Sequence, residues 1–364
     1  MTVVDPVWLA VILAAYASSA TLVAWLRPVL QRHGAVTRPG PANVGRAVPR
    51  GGGLAIVIVV VAVAGAMAWL ALNLRQALLG WGVPAMAVAA VSLRDDFRAV
   101  PALVRLAVHA AAAVSVVWVT GPLADVSFGG LGSVSLGAAA WPLSVLWIVG
   151  MTNAFNFMDG TDGIAGMTAV AAGASLAVAA SAVGCESVAI VAVAFAAAAA
   201  GFLSWNWPPA RIFMGDVGST FCGFTIAALP LVVPSPGRMT VVPVVLLAMW
   251  PFVFDAFTTL LKRVARRENI LQTHESHIYQ RLVIAGWSHR GVAMLYGLLA
   301  AAAGGLAAAS LVVPTLGPLL NMAAAGMVLA VPVVLLSVAT NGDWRVFRSL
   351  RRKRGLSPSP RVSQ

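Results

Sequence analysis

This chain of 364 residues is poor in charged side chains: only 10% of its residues are charged, whereas 60% are hydrophobic. A soluble domain has about 25% charged residues, so this composition excludes an ordinary soluble protein. Cysteine is scarce as well, with only Cys185 and Cys222. Neither has the spacing of a metal ligand, and we expect both to be small apolar helix residues without a disulfide.

The chain contains long apolar stretches instead. A helix that crosses the hydrocarbon core needs about 20 apolar residues, and about eleven stretches satisfy this rule. They lie near residues 7–26, 52–72, 77–93, 102–120, 139–153, 163–183, 187–205, 217–234, 240–261, 292–313 and 319–339. The sequence therefore predicts an all-α polytopic membrane protein, with a single transmembrane domain over residues 1–340 and a basic, partly disordered tail over residues 341–364.

Basic residues are distributed unequally between the loops. Alternate loops carry nearly all of them, and only Arg75 and Arg238 fall on the other side. Basic loops face the cytoplasm, which predicts an outside N-terminus and a cytoplasmic C-terminus. The net charge of +12 then reflects topology and contact with lipid head groups, and nucleic acid is not expected as a partner. On the outer side, alternation around Gly129-Gly130 predicts a small hairpin over residues 126–136.

Nine of the 12 acidic residues lie at stretch ends that face the predicted cytoplasmic side. In one segment, Asn153, Asn156, Asp159 and Asp162 recur at every third position, and glycines at positions 160 and 163 let the backbone turn. Carboxylate and amide oxygens are the ligands that Mg²⁺ prefers, together with water and substrate phosphates. The alternative is an ordinary polar loop.

A second segment, residues 213–219, begins the next apolar stretch. Gly215 and Gly218 allow backbone N–H groups to approach an anion at a helix N-terminus. Asp216 would repel a phosphate unless a cation lay between them, which again indicates a metal. The alternative is a simple N-cap acid.

Paired acids stand at a third position, Asp95 and Asp96. Adjacent carboxylates can hold a metal, position a phosphate through a cation or deprotonate a nucleophile, and they are also common in solvated loops. Arg105 is a candidate to bind phosphate or to anchor the next helix. Arg50, before three glycines, either lies near the site or marks a tight packing point.

The fourth segment contains His274 and His277, three positions apart, followed by Arg281. No third zinc ligand lies nearby, and histidine beside arginine suits a pyrophosphate better; a basic loop resting on lipid is the alternative. Asp255 is the one acid well inside a predicted span, where burial is costly. It therefore has either a functional role or a structural hydrogen bond to a neighbouring helix.

Together these segments resemble the polyprenyl-phosphate N-acetylhexosamine-1-phosphate transferases (glycosyltransferase family 4), the superfamily of WecA-like and MraY-like membrane enzymes. The resemblance covers most of the chain. It is carried by Pro49-Arg50-Gly-Gly-Gly53, Asp95-Asp96, the block 153–166, Phe213-Met-Gly-Asp-Val-Gly-Ser219 and His274-Glu-Ser-His-Ile-Tyr-Gln-Arg281.

The resemblance implies an enzyme of the bacterial inner membrane whose active site faces the cytoplasm. Such enzymes transfer a sugar-1-phosphate from a UDP-sugar to polyprenyl phosphate, usually undecaprenyl phosphate, and release UMP. They start the assembly of O-antigen or another envelope polysaccharide. A homodimer is one of the expected partner states.

Residue roles also follow from the resemblance. Asn156 and Asp216 are implied as ligands of Mg²⁺, with Mn²⁺ as an alternative, and Asp159 would support the metal or the nucleotide pocket. Asp162 would face the uracil and Phe213 would stack on it. Asp95 and Asp96 would engage the lipid phosphate, with Asp95 as a candidate proton acceptor. The loop His274–Arg281, with His274, His277 and Arg281, would hold the pyrophosphate and choose the sugar. Arg50 and Arg105 stay substrate-binding candidates from the sequence pattern alone.

The fourth segment departs from the large branches of the superfamily. It has neither the His-His-x-Glu of MraY-like enzymes nor the His-x-His-His of WecA-like enzymes. Its pattern is closest to the WbpL-like branch, which handles 6-deoxy N-acetylhexosamines. A WecA-like enzyme specific for UDP-GlcNAc and a non-catalytic scaffold that binds lipid-linked sugars are the alternatives. A transporter is disfavoured because the charges cluster at one face and not at the midplane.

Overall fold

The computed structural model describes residues 6–33, 36–37, 48–127, 132–268 and 276–353. Within these ranges the chain forms twelve α-helices and two short antiparallel hairpins. The helices are α1 (Pro6–Arg32), α2 (Leu54–Leu70), α3 (Arg75–Phe97), α4 (Ala102–Thr120), α5 (Ala140–Met158), α6 (Ile164–Ala182), α7 (Glu186–Asn206), α8 (Gly215–Ala228), α9 (Gly237–Ala265), α10 (Ile278–Ile284), α11 (His289–Val312) and α12 (Gly317–Lys353).

Ten of the described helices are long and apolar enough to cross a membrane, and the chain is a multi-pass membrane protein. Each of the eleven predicted stretches coincides with one helix. The difference in number comes from α2, which is apolar but has only 17 residues. It is short because Gly51–Gly53 form a turn before it. The orientation of the helices relative to the cytoplasm stays a prediction.

The centre of the bundle is formed by α6, α7 and α8, which are buried over most of their length, whereas α1 and α12 leave most of their side chains exposed. Small residues allow this packing. Ala196 to Ala199 of α7 are buried, and a Cβ at Gly201 would collide with the backbone carbonyl of Tyr16 in α1. Small side chains in α7 thus let neighbouring helices approach closely.

The predicted outer hairpin is confirmed in its strands. β3 (Asp125–Ser127) pairs with β4 (Ser133–Ser135), and Val126 lies opposite Val134. A second hairpin, β1 (Val36–Thr37) with β2 (Val48–Pro49), was not predicted.

Two backbone features prepare one end of the bundle for polar side chains. The chain leaves α5 and enters α6 through residues 159–163, with Gly163 at a φ of +79°. The turn before α2 lies against the start of α8: Gly52 N donates to Phe213 O at 2.9 Å, and Gly53 N donates to Met214 O at 2.9 Å. A Cβ at Gly53 would collide with Gly218. The two backbones therefore touch with no side chain between them.

Candidate active site

A cavity opens where the ends of α3, α5 and α7 meet the starts of α8 and α11. Its lining contains carboxylates, an arginine, an aromatic ring, a histidine and an amide. The lining residues are Arg50, Asp96, Asp159, Gly160, Thr161, Asp162, Asn206, Phe213, Gly215, Asp216 and His289. The structure thus brings six of the predicted site residues into one cavity: Arg50, Asp96, Asp159, Asp162, Phe213 and Asp216.

Asp96 fastens the end of α3 to the start of α8. Its two carboxylate oxygens accept hydrogen bonds from the backbone N–H groups of Asp216 at 3.0 Å and Val217 at 3.1 Å. A carboxylate at a helix N-terminus satisfies unpaired N–H groups and is favoured by the helix dipole. The Arg50 guanidinium donates to the backbone carbonyl of Asp96 at 2.6 Å and lies 3.6 Å from its carboxylate. Asp96 therefore fixes where Asp216 enters the cavity.

Arg105 joins the two remaining acids of this cluster. One guanidinium nitrogen lies 2.6 Å from Asp95 Oδ2 and 2.7 Å from Asp216 Oδ2. The other oxygen of Asp95 accepts from the backbone N–H of Val100 at 2.6 Å. Arg105 lies beside the cavity without lining it, so its binding of substrate phosphate stays a prediction; in the structure it neutralises two carboxylates.

Asn156 and Asp159 lie at the end of α5. The Oδ1 atom of Asn156 accepts from Ser219 Oγ at 2.8 Å, which ties α5 to α8. Burial raises the pKa of Asp159 well above its usual value, and the carboxylates of Asp216, Asp96 and Asp162 raise it further. So many acids close together are stabilised when a cation neutralises them.

The other end of the cavity is held by a network around Asp162. Its Oδ2 atom accepts from Ala210 N at 3.0 Å, and its Oδ1 atom lies 3.3 Å from Nδ1 of His289. Asn206, at the end of α7, accepts from Gly163 N and donates to Ile212 O, both at 2.9 Å. The buried Thr161 hydroxyl has no hydrogen-bond partner within the described chain. This end offers polar groups that are already fixed in place.

Comparisons with known proteins agree with this geometry. Residues 78–233 match the model of Glycosyl transferase family 4. The chain is 33% identical over 294 residues to the "Probable undecaprenyl-phosphate N-acetylglucosaminyl 1-phosphate transferase" of Bacillus subtilis (strain 168), covering 77% of this chain and 79% of that protein. The chain belongs to glycosyl transferase family 4.

Other family 4 relatives have related names. The "Decaprenyl-phosphate N-acetylglucosaminephosphotransferase" of Mycolicibacterium smegmatis is 31% identical over 303 residues, covering 74% of each chain. A "Phospho-N-acetylmuramoyl-pentapeptide-transferase" of Limosilactobacillus fermentum is 29% identical over 162 residues, covering 43% of this chain and 49% of that protein. The resemblance to the family is confirmed.

The fourth predicted segment is placed differently from the others. His277 is buried, with its Nδ1 atom 3.3 Å from Asp255 Oδ1, and it does not line the cavity. Arg281 lies half-buried in α10 and does not line it either, and His274 lies outside the described residues. Direct contact of His277 and Arg281 with substrate stays a prediction. The Asp255 carboxylate contacts this segment at His277 Nδ1 and at the backbone N–H groups of Ile278 and Tyr279.

Three cavity residues of this family 4 chain were not predicted. Asn206 carries no local signal, because it is a single polar residue at the end of a span, whereas Thr161 lies within the polar block 153–166 but was not singled out. His289 follows Ser288, whose side chain accepts from Gly291 N as an N-cap, so the position of a helix start was visible in the sequence. That this start lies beside Asp162 depends on packing and could not be seen.

The oxygen donors of the cavity fit a hard divalent cation in part. Across the described ranges, no group of three or more His, Cys, Asp and Glu side chains is arranged to hold a metal. Asp216 supplies a carboxylate near Asp159, and the like charges that raise the pKa of Asp159 favour a cation here. Asn156 does not line the cavity, and its amide oxygen accepts from Ser219, so its role as a ligand stays a prediction. Mg²⁺ commonly takes only one or two protein carboxylates and fills its remaining positions with water and phosphate.

Proposed function

We propose that this family 4 protein transfers N-acetylglucosamine 1-phosphate from UDP-N-acetylglucosamine to a polyprenyl phosphate. UMP leaves, and the product is a lipid-linked pyrophosphoryl sugar that begins an envelope polysaccharide. The observation that carries the proposal is the convergence of Asp96, Asp159 and Asp216 with Arg50 at one end of a membrane helix bundle. The names of the relatives supply the sugar and the lipid.

The reaction joins two anions, so it requires charge neutralisation and alignment more than a strong nucleophile. A phosphate oxygen of the lipid attacks the β-phosphorus of the UDP-sugar, and the bond from that phosphorus to the bridging oxygen breaks. The electron pair leaves with UMP. A lipid phosphate is largely deprotonated near neutral pH, so this single displacement needs little help from a base. Asp95 is the candidate to accept a remaining proton.

Asn156 and Asp216 are the proposed ligands of Mg²⁺, which when bound would neutralise the diphosphate of the donor. Asp159 lies near Asp216 and Asp96, and its carboxylate would add to the negative charge that binds the cation. Arg50 lines the cavity beside Asp96, where its guanidinium suits a phosphate oxygen. The acidic end of the cavity is thus the proposed place of phosphoryl transfer.

The opposite end is proposed to hold the nucleotide. Phe213 presents an aromatic ring on which a base can stack. Asp162, Asn206, His289 and the unpaired Thr161 hydroxyl line the same cavity and offer hydrogen-bonding groups to the base. A site whose polar groups are fixed before binding discriminates strongly between bases.

A 6-deoxy N-acetylhexosamine is the second candidate for the sugar. It is favoured by the segment His274–Arg281, whose pattern resembles the WbpL-like branch. The proposed location is the bacterial inner membrane with the cavity facing the cytoplasm, which the arginine-rich loops favour. One membrane domain over residues 1–340 would carry the whole activity.

The test is UMP release by purified protein in detergent with undecaprenyl phosphate and Mg²⁺. UDP-GlcNAc, UDP-QuiNAc, UDP-FucNAc and UDP-MurNAc-pentapeptide are offered in turn. We expect release that requires both the lipid and the metal, with UDP-GlcNAc preferred. Preference for a 6-deoxy sugar would select the second candidate. The absence of UMP release with every donor, from protein shown to be folded, would overturn the proposed reaction.

Variants test the metal assignment separately. Asp216→Ala and Asn156→Ala should each abolish turnover while the protein still inserts and purifies normally. Glu186→Gln is the matched control, because this exposed acid starts α7, about 30 Å along the helix from the cavity. Near-normal turnover in Asp216→Ala or in Asn156→Ala would remove the substituted residue from the proposed ligands of Mg²⁺.

A further inference from the structure

Asp255 is a fully buried carboxylate in the span α9, and it is surrounded by donors. A buried acid is costly unless it is hydrogen-bonded. The carboxylate accepts from Tyr296 OH at 2.6 Å, from Ile278 N at 2.8 Å, from Tyr279 N at 3.0 Å and from Thr259 Oγ1 at 3.3 Å. These donors come from α9, α10 and α11, so Asp255 fastens three helices at one point.

The start of α10 depends on this carboxylate. The backbone N–H groups of Ile278 and Tyr279, which begin the helix, each donate to one carboxylate oxygen. His277, the residue before the helix, stacks its ring on that of Tyr279 with the centroids 5.7 Å apart. The position of Tyr279 is therefore fixed through its backbone and its ring.

The Tyr279 side chain extends from this anchor to the end of α5. Its hydroxyl donates to the backbone carbonyl of Phe157 at 3.2 Å. The last carbonyls of a helix have no partner within the helix, so this bond satisfies one that would otherwise be unpaired. The same hydroxyl covers Gly160 so closely that a Cβ there would collide with it. Tyr279 thus contacts the chain on both sides of Asp159.

We propose that Tyr279, held by Asp255, is a positioning residue that sets the place of the cavity segment 159–162. Tyr279 does not line the cavity, whereas all four residues of that segment do. The inference rests on the proposed function, since the segment carries Asp159 for the phosphate end and Asp162 for the nucleotide end.

Tyr279→Phe removes the bond to Phe157 but keeps the ring and the backbone link to Asp255. Misplacement of a binding segment weakens donor binding, and we expect the KM for UDP-GlcNAc to rise about tenfold. The KM for undecaprenyl phosphate should not change. Loss of folded protein alone would lower kcat in proportion and leave both KM values as they are.

Tyr296→Phe is the matched control, because it removes a hydroxyl from the same carboxylate but leaves the bond between Tyr279 and Phe157 in place. It should lower the thermal unfolding midpoint at least as much as Tyr279→Phe, with the donor KM within about twofold of the parent. An equal rise of the donor KM in both variants would overturn the assignment to Tyr279.

Gly160→Ala supplies a second, independent test. The added Cβ meets the Tyr279 hydroxyl first, and the next ring carbon lies 2.9 Å away. We expect the variant to lose most of its activity and to regain part of it when Tyr279→Phe is added. Additive losses, or no loss in Gly160→Ala, would overturn the inference. A parent protein that shows no UMP release would instead refute the proposed function.

Discussion

Two groups of acids lie near the same end of the bundle, and their surroundings differ. The Asp255 carboxylate is buried, accepts from four protein donors and does not line the cavity formed by the described residues. Asp216 lines the cavity, with one oxygen beside Arg105 and with Asp96 and Asp159 nearby. One acid is satisfied by the protein, whereas the other belongs to a cluster that a cation would complete. Acids at helix ends are thus separated into structural and chemical ones by the donors around them.

The largest effect is expected at the cluster. Asp216→Asn keeps the shape of the side chain but removes its charge, and turnover should fall at least about a thousandfold because charge stabilisation dominates such reactions. The thermal unfolding midpoint in detergent should stay close to that of the parent. Substantial turnover without this charge would place Asp216 with Asp255 among the structural acids.

Asp255→Asn tests the other side of the comparison. An amide group cannot accept from all the donors around this site, so we expect a loss of about 3 kcal/mol in the free energy of unfolding. Activity per folded molecule should fall far less than in Asp216→Asn. The measurement pairs denaturant unfolding with UMP release from the same preparation. Unchanged stability with lost turnover would contradict the structural role.

The smallest effect is expected at the nucleotide end. His289→Ala removes a ring beside Asp162, and the donor KM should rise about tenfold, the worth of one charge-assisted hydrogen bond. Arg290→Ala is the matched control at the next position, where the side chain is exposed and stacks on Trp207 at 5.9 Å. If both variants behave alike, the effect belongs to the surface of α11 and not to the cavity.

Much of this molecule could be predicted because its signals are local. A run of apolar residues specifies a membrane helix by itself, and each predicted stretch coincides with a helix. Asp159, Asp162 and Asp216 stand in short polar segments at helix ends, so the sequence indicated that they belong to a site. Local signals were enough where the bilayer itself separates polar from apolar residues.

The rest depends on contacts between distant parts of the chain. His277 and Asp255 are 22 positions apart, and nothing in either segment indicates that the two side chains meet. Asn206 and His289 reach the cavity only because α7 and α11 end and begin beside it. Tertiary packing decides such positions, and a single sequence without homologues does not encode them in a readable form.

The contact between Gly53 and Gly218 has a consequence for how substrates enter. With no side chain between the two backbones and with Gly53 N bonded to Met214 O, Arg50 and Asp216 are carried by one stiff block and cannot separate. Any widening of the cavity must therefore take place elsewhere on its wall, for example at segment 159–162, which is held by the Tyr279 hydroxyl and by the contacts of Asp162 with Ala210 and His289. One wall of the cavity would then stay fixed with its charged side chains, and the other would adapt to the substrate.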